Sequence, residues 1–333
     1  MPSRPPIRYL DAAQVEAAMP PIEERIRLAE VTMRALAGDA QLPPKLGVEP
    51  RPTDAFAHAM PAFLPGSDPT GADDLLGMKW VVGFPGNGAI GLPTISALVL
   101  LDDPRTGFPI GILDGTPITA QRTAAVSGVA IRHFAPRVVG RPVRAALIGS
   151  GVQGRSHLPV LGHILPGLSL AVHDRHPERA ANLAELARGT AGIADVEAAS
   201  SAQAAMAGAD VVVTAVSFGT VRQIAPPDWL TPDALVVAVD YATMISAAVA
   251  REAALFLVDE RGQFEANRAS GAFADYPDPA ATLGEVILAG QGRPAGGRVL
   301  VSHLGVGLAD VIFGNAILAT ATAAGAGVLL QAG

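Results

Sequence analysis

AALIGSGVQG, residues 145–154, lies near the middle of the 333-residue chain. Four apolar residues that predict a β-strand run directly into three glycines at the spacing G-x-G-x-x-G. In such a turn Gly149 permits the tight bend, Gly151 lets the backbone approach a phosphate, and Gly154 lets the next helix pack on the strand. The turn lies between a predicted strand and a segment that can be helical, as phosphate binding requires. The stretch therefore predicts a phosphate-binding turn.

The next strand indicates which phosphate compound would bind. The segment LSLAVHDRHP ends its apolar run in Asp174, about 20 residues after Gly154, where an acidic residue accepts hydrogen bonds from a ribose. Arg175 could instead face a 2′-phosphate, so we expect NAD as the cofactor and leave NADP open. The residues expected to contact the cofactor are Gly149, Ser150, Gly151, Val152, Gln153, Gly154, Asp174 and Arg175.

The rest of the chain indicates two domains. From residue 142 onward, apolar runs alternate with amphipathic segments, which is typical of βαβ units and a parallel sheet. These runs are 144–148, 169–173, 210–216, 235–239 and 255–258. Earlier residues are punctuated by Pro and Gly, with strand-like runs at 95–101 and 110–113 and a helix over 119–133. The sequence therefore predicts an α/β fold with a Rossmann-type dinucleotide-binding domain beside a second α+β domain.

Composition excludes several classes of function. A formal net charge of −7 argues against a nucleic-acid partner. The chain has no cysteine, which rules out thiolate catalysis and disulfides and fits a cytoplasmic location. The seven histidines show no paired ligand spacing, so no metal is expected. The charge-free run 311–333 predicts a buried packing helix rather than a membrane span.

Three further segments carry a family resemblance. LLGMKWVVGFPGN contains Lys79, TPITAQRTAAVSGVA contains Arg122, and VVAVDYAT contains Asp240. Together with GSGVQG, they resemble the ornithine cyclodeaminase/mu-crystallin family. The resemblance implies a homodimer and a Rossmann domain inserted into the other domain. The implied divisions are a substrate and dimerisation domain over 1–125, the NAD-binding domain with a connecting helix over 126–304, and a returning C-terminal helix over 305–333.

The resemblance also implies roles for single residues. Lys79 matches the catalytic lysine beside the substrate carboxylate or imine, and Arg122 matches the arginine that clamps the α-carboxylate. Asp240 matches the catalytic acid that exchanges protons with the substrate nitrogen. Lys45 falls where the family commonly has a second carboxylate-binding arginine. His58 and His303 lie in segments that the resemblance brings to the substrate, and His58 stands where the ornithine enzymes have Glu.

Structural alternatives exist for each of these residues. A lysine among apolar residues usually extends to water, and an arginine on a helix is often solvated or in a structural ion pair. Asp240 could cap a following helix. His58 and His303 could be structural.

Departures from the family pattern separate the possible functions. Met244 replaces the lysine that follows the catalytic aspartate in ornithine cyclodeaminases, and His58 removes a carboxylate suited to a distal ammonium. We therefore expect an NAD(P)-dependent amino-acid dehydrogenase or imine reductase that acts on a small amino or imino acid. The alternatives are an ornithine cyclodeaminase, which forms proline and ammonia, and a non-catalytic cofactor-binding protein.

Overall fold

The chain passes from one folding unit to another and back again. In the computed structural model, which describes residues 5–219 and 221–331, the first unit comprises Met1–Arg122 and Val306–Gly333. The second unit is the intervening segment Thr123–Gly305. Each unit is built around one β-sheet, and each contains part of the predicted site.

Residues 5–122 and 306–331 form a mixed sheet with covering helices. The strands are β1 (Ile7–Leu10), β2 (Leu46–Val48), β3 (Phe56–Leu64), β4 (Leu75–Gly83), β5 (Ile95–Asp102), β6 (Pro109–Asp114) and β15 (Val328–Leu330). The helices are α1 (Ala12–Ala17), α2 (Ile22–Leu36), the first part of α3 (Gly115–Phe134) and α10 (Gly307–Ala323). Within these residues the strand order is β15-β1-β6-β5-β4-β3-β2, and all pairs are antiparallel except β1 with β6.

The two faces of this sheet differ in burial because side chains alternate along each strand. On β4, Gly77, Lys79 and Val81 are buried on the face where α10 packs against β3, β4 and β5. Trp80 points to the opposite face and is exposed, as is its cross-strand partner Leu98 on β5. The predicted strands at 95–101 and 110–113 are thus present, and they place one apolar face against α10 and leave another open.

The C-terminal tail differs from the helix expected over 305–333. Helix α10 ends at Ala323, and the chain then forms β15, which pairs antiparallel with β1. Gly325 and Gly327 have φ values of +66° and +91°, a left-handed conformation that ends a helix and that few other residues adopt. The positions 1–4, 220, 332 and 333 lie outside the described residues. Among the helices of the described part of the chain, none is long and apolar enough to cross a membrane.

Residues 123–219 and 221–305 form a parallel sheet. Its strands are β7 (Arg144–Ile148), β8 (Leu168–His173), β9 (Ile193–Ala198), β10 (Val211–Thr214), β11 (Leu235–Ala238), β12 (Leu255–Val258), β13 (Ala281–Thr282) and β14 (Val299–Ser302). Besides the end of α3, its helices are α4 (Val152–Ile164), α5 (Pro177–Arg188), α6 (Ala202–Met206), α7 (Ala247–Glu252), α8 (Arg261–Ala269) and α9 (Leu283–Leu288). The order is β13-β12-β14-β11-β10-β7-β8-β9, and each of these neighbouring pairs is parallel. The predicted Rossmann-type α/β fold is confirmed.

The glycine turn joins β7 to α4, and its three glycines have different roles. Gly149 has φ +105°, and a Cβ there would lie 2.4 Å from the Ala215 carbonyl oxygen. A Cβ on Gly154 would lie 2.0 Å from the Gly149 oxygen, so α4 packs so closely on the turn that only the α-hydrogen of a glycine fits between them. A Cβ on Gly151, the N-cap of α4, would meet nothing within 4 Å. Two glycines are therefore required by the fold, whereas Gly151 leaves open space at the helix N-terminus.

We expect Gly154→Ala and Gly151→Ala to have different effects on stability. The Gly154 variant forces backbone atoms apart and should lower the free energy of unfolding by roughly 1–3 kcal/mol, as overpacking does. The Gly151 variant should unfold close to the wild-type temperature, because its methyl group meets no neighbour. Thermal unfolding followed by circular dichroism measures both, and equal Tm values for the two variants would contradict this assignment.

Candidate active site

Three buried charged side chains meet in the first unit. Lys79 Nζ lies 2.9 Å from each carboxylate oxygen of Asp310, and Arg122 Nε lies 3.4 Å from Asp310 Oδ1. The three residues come from β4, α3 and α10, and their exposed fractions are 1% for Lys79, 6% for Arg122 and 0% for Asp310. Lys79 therefore does not extend to water, and Arg122 has the ion pair that a structural alternative requires. We call these three residues the charge cluster.

The charge cluster has two cations and one carboxylate. Burial lowers the pKa of Lys79 to about 7; Asp310 opposes this effect, and Arg122 and Lys45 add to it. An ammonium group that titrates near neutral pH can both attract an anion and donate a proton. The arrangement can therefore bind a carboxylate, which would balance its excess positive charge.

His58 lies on the same face of the sheet as Lys79. On β3 it pairs with Val81, two residues along β4 from Lys79, and its ring stacks on Phe56 with centroids 4.7 Å apart. Gly47 on β2 makes room for the ring, since a Cβ there would lie 2.9 Å from His58 Cδ2. Burial, followed by the charges of Lys45 and Lys79, lowers the pKa of His58 to about 4. His58 is therefore uncharged at neutral pH.

In the second unit, the Asp174 side chain is hydrogen-bonded to the glycine turn. Its Oδ2 accepts hydrogen bonds from Ser150 N at 2.9 Å and Ser150 Oγ at 2.6 Å, and its Oδ1 accepts one from His176 N. Burial acts to raise the pKa of Asp174, but the bonds from Ser150 and His176 outweigh it and hold the pKa below its usual value. Arg175 donates to His176. The carboxylate thus stays ionised beside the turn, where a ribose diol is expected.

Asp240 lies just beyond the carboxyl end of β11 and is fully buried. Its two oxygens are each 3.5 Å from a backbone nitrogen, those of Val216 and Met244. Burial raises the pKa of Asp240 to about 6. The nearest following helix, α7, begins at Ala247 with Ser246 as its N-cap, so the helix-capping alternative for Asp240 is wrong. Asp240 is a buried carboxyl group that can exchange a proton near neutral pH.

His303 lies one strand from Asp240, at the carboxyl end of β14, within a buried hydrogen-bonded chain. Ser127 Oγ lies 2.8 Å from His303 Nε2 and 2.8 Å from His157 Nε2. His157 Nδ1 is 2.6 Å from the Gln153 carbonyl oxygen, and burial lowers the pKa of His157 to about 4. A neutral His157 that donates from Nδ1 accepts from the Ser127 hydroxyl, which in turn accepts from His303 Nε2–H. The chain fixes the His303 ring at this edge of the sheet.

Sequence reasoning missed Asp310, because the composition of the chain draws attention to the lysine of this cluster and not to its carboxylate. The charge cluster contains one of the two lysines in the chain, Lys79, and the other lysine is Lys45. The remaining 22 basic residues other than histidine are arginines. The two lysines are also electrostatically coupled to each other, which indicates a site where a titratable amine is needed.

Across 5–219 and 221–331, no group of three His, Asp or Glu side chains is arranged to hold a metal ion.

Comparison with known proteins identifies the family of the chain. The model of the ornithine cyclodeaminase/mu-crystallin family matches residues 11–322. A nodulation efficiency protein of Rhizobium meliloti is 32% identical over 98% of this chain and 99% of its own. The Δ1-pyrroline-2-carboxylate reductase of Thermococcus litoralis, solved with NADH and L-proline, is 25% identical, with a TM-score of 0.83 and coverage of 97% of this chain and 99% of its own.

An archaeal alanine dehydrogenase, solved as a dimer with bound NAD, is also 25% identical, with a TM-score of 0.82 and coverage of 98% of this chain and 100% of its own. The family model covers almost the whole chain, including the glycine turn, Lys79, Arg122 and Asp240. The chain therefore belongs to the ornithine cyclodeaminase/mu-crystallin family, as the resemblance predicted.

Proposed function

We propose that this protein is an NAD-dependent oxidoreductase that moves hydride between the nicotinamide and Cα of a small amino or imino acid. It would act as an amino-acid dehydrogenase or as an imine reductase. The charge cluster carries the proposal, because a buried excess of positive charge requires an anionic ligand. The two solved relatives support it, since one holds NADH with L-proline and the other is an alanine dehydrogenase with NAD.

The glycine turn fits the cofactor. The open space at Gly151 and the free N–H groups at the start of α4 suit a pyrophosphate, which the helix dipole also favours. Ser150, Val152 and Gln153 complete the turn, and the ionised Asp174 would accept hydrogen bonds from the ribose and repel a 2′-phosphate. NAD, when bound, supplies or accepts the hydride at Cα.

Arg122 and Lys79 would bind the substrate carboxylate, with Lys45 as a further cation. A planar guanidinium can hold a carboxylate through two hydrogen bonds, and a neighbouring ammonium adds charge. His58 offers no negative countercharge for a distal ammonium, because an imidazole is either neutral or cationic, and its pKa of about 4 leaves it neutral here. These residues favour a small substrate without a second amine over ornithine.

Asp240 would exchange a proton with the substrate nitrogen. Imine reduction needs a proton at nitrogen, and the carboxyl form of Asp240 is present below a pH of about 6. Oxidation of an amine needs the carboxylate form, which predominates above that pH. Imine reduction is therefore favoured as the pH falls and amine oxidation as it rises, within the range where the enzyme stays folded.

A substrate screen tests the proposed reaction. Amino acids are mixed with NAD⁺, and α-keto acids plus amines or cyclic imines with NADH, while the nicotinamide absorbance is followed. Net production or consumption of NADH supports a dehydrogenase or reductase. Ammonia release from ornithine with no net change in NADH would instead identify a cyclodeaminase, and no turnover with any compound would favour the binding-protein alternative.

We expect Asp240→Asn to lower kcat for the substrate found in the screen by about 10²- to 10⁴-fold, the usual contribution of a positioned acid or base. Binding of NADH, measured by fluorescence, should stay near the wild-type value, and the pH dependence near 6 should be lost. Wild-type turnover in this variant would contradict the assignment of Asp240.

Arg122→Leu provides a contrast, because it should mainly raise KM by removing a contact made in both the ground and transition states. The matched control is Arg132→Leu, an exposed arginine farther along α3, which should leave kcat and KM unchanged.

We also propose that the first unit forms a homodimer through the open face of its sheet. Trp80 and Leu98 are 40% and 44% exposed, and they pair across β4 and β5 beside Met78, Leu100 and Ile112. Contiguous exposed apolar side chains of this kind mark interaction surfaces. The dimeric alanine dehydrogenase supports a second copy as the partner.

A cytoplasmic location stays a prediction, supported by the absence of cysteine from the sequence.

Leu98→Lys should convert the dimer to a monomer, because it places a charge in the centre of the proposed interface. A stable interface buries at least about 1,000 Å², and a lysine at its centre would leave an unpaired ammonium buried there, which is unfavourable because the charge loses its hydration. The control is Leu186→Lys on α5, which is 50% exposed in the second unit and should leave the dimer intact. Light scattering at micromolar concentration measures the mass, and a monomeric wild-type protein would refute the proposal.

A further inference from the structure

We propose that Asp310 is a positioning residue for substrate binding: it keeps Lys79 charged and fixes it beside Arg122, so that one buried positive charge remains for the substrate carboxylate. The identity of that anion rests on the proposed function. The coupling between Asp310 and Lys79 does not, and it can be tested separately.

The fold holds the Asp310 carboxylate in one place. Asp310 lies in the first turn of α10, where the helix dipole favours a negative charge. The helix begins at Gly307, and a Cβ there would lie 2.3 Å from the Met60 carbonyl oxygen on β3. The start of α10 therefore lies directly against the sheet that carries Lys79. This close approach places both Asp310 oxygens at 2.9 Å from Lys79 Nζ.

Across residues 5–219 and 221–331, Asp310 is the acidic group that acts on the pKa of Lys79. Arg122 and Thr119 face it from α3, Lys45 acts on it from the segment before β2, and His58 on β3 is neutral. A buried ammonium without a carboxylate loses its proton, because burial penalises its charged form. Guanidinium groups keep their charge in proteins, so of the two cations in the cluster Lys79 is the one whose charge can change.

Substrate binding is therefore linked to the protonation of Lys79. With a pKa of about 7, Lys79 carries its charge below that pH and loses it above. A bound carboxylate adds negative charge beside the ammonium and raises its pKa, so binding takes up protons near neutral pH. Affinity for the carboxylate is highest below about 7 and falls as the pH rises. Without Asp310, that fall occurs at a lower pH.

Direct titration of the lysine side chain tests the coupling. Because the chain has two lysines, ¹⁵N-lysine labelling of the Lys45→Arg protein leaves Lys79 as the single labelled side-chain amine. In this background, Asp310→Asn should lower the titration midpoint of Lys79 by at least one pH unit, which is about a tenfold change in proton affinity. The control Asp103→Asn removes a partly exposed carboxylate of the same unit, one that pairs with Arg105, and should leave the midpoint unchanged. An unchanged midpoint in Asp310→Asn overturns the proposal.

The same samples separate this proposal from the proposed function. Adding L-proline or L-alanine with NADH should raise the Lys79 midpoint in the protein that retains Asp310. If Asp310→Asn lowers the midpoint but neither amino acid moves it, the positioning role holds and these substrates are wrong. If Asp310→Asn shifts the midpoint and the amino acids also raise it, both proposals are supported.

A second pair of variants covers the case in which Asp310→Asn does not fold. Removing both charges of a buried pair together is tolerated better than removing one. KM at pH 7 is therefore compared between Lys79→Met and the double variant Lys79→Met/Asp310→Asn, with the substrate from the screen. Equal KM values show that Asp310 acts through Lys79. A further tenfold increase in the double variant shows an independent role and contradicts the proposal.

Discussion

One carboxylate shared by two buried cations organises the first unit. Asp310 is separated from Lys79 by 231 residues and from Arg122 by 188 residues along the chain. All the strands of the parallel sheet of the second unit therefore lie between Arg122 and Asp310 in the sequence, and α10 returns to the first unit after them. Gly307 and Gly327 permit that return, the first by bringing α10 onto β3 and the second by bringing β15 beside β1. An inserted Rossmann-type unit is thus compatible with a site made by residues from distant parts of the sequence.

The charge cluster is not explained by stability. Desolvation of buried charges generally exceeds the attraction between them, and a cluster with unequal charges loses more than a matched pair. The cost is lowest in the presence of an anion, and an amino-acid carboxylate is the anion that family membership suggests. The same reasoning applies to Asp240, whose complete burial disfavours its ionised form and thereby gives it a proton to exchange. Burial is therefore unfavourable for the charged forms of Lys79 in the first unit and Asp240 in the second, the residues for which acid–base chemistry is proposed.

The sequence predicted the features that depend on local pattern. The glycine turn follows from the spacing of three residues, and two of the predicted strands, 144–148 and 255–258, have the observed bounds of β7 and β12. The helix expected over 305–333 was wrong beyond Ala323, because β15 forms only through pairing with β1 at the other end of the chain. Asp310 was missed for the same reason, since its role depends on contacts with residues that are far away in sequence. A structural ion pair is one expectation for an arginine on a helix such as Arg122, but local pattern cannot identify its partner.

The choice of lysine at residue 79 follows from the chemistry of the cluster. An arginine there would keep a fixed charge, and the site would then hold two permanent cations around Asp310 in every state of the reaction. With a pKa of about 7, Lys79 is instead divided between its charged and neutral forms near neutral pH, and a bound substrate carboxylate would shift it towards the charged form. In the proposed site, Arg122 would supply the planar donor that orients the carboxylate, and Lys79 would supply a charge that adjusts to its presence. Apart from Lys45 and Lys79, the basic residues other than histidine are all arginines, and a lysine at residue 79 fits the proposed site because its charge can adjust to a bound carboxylate.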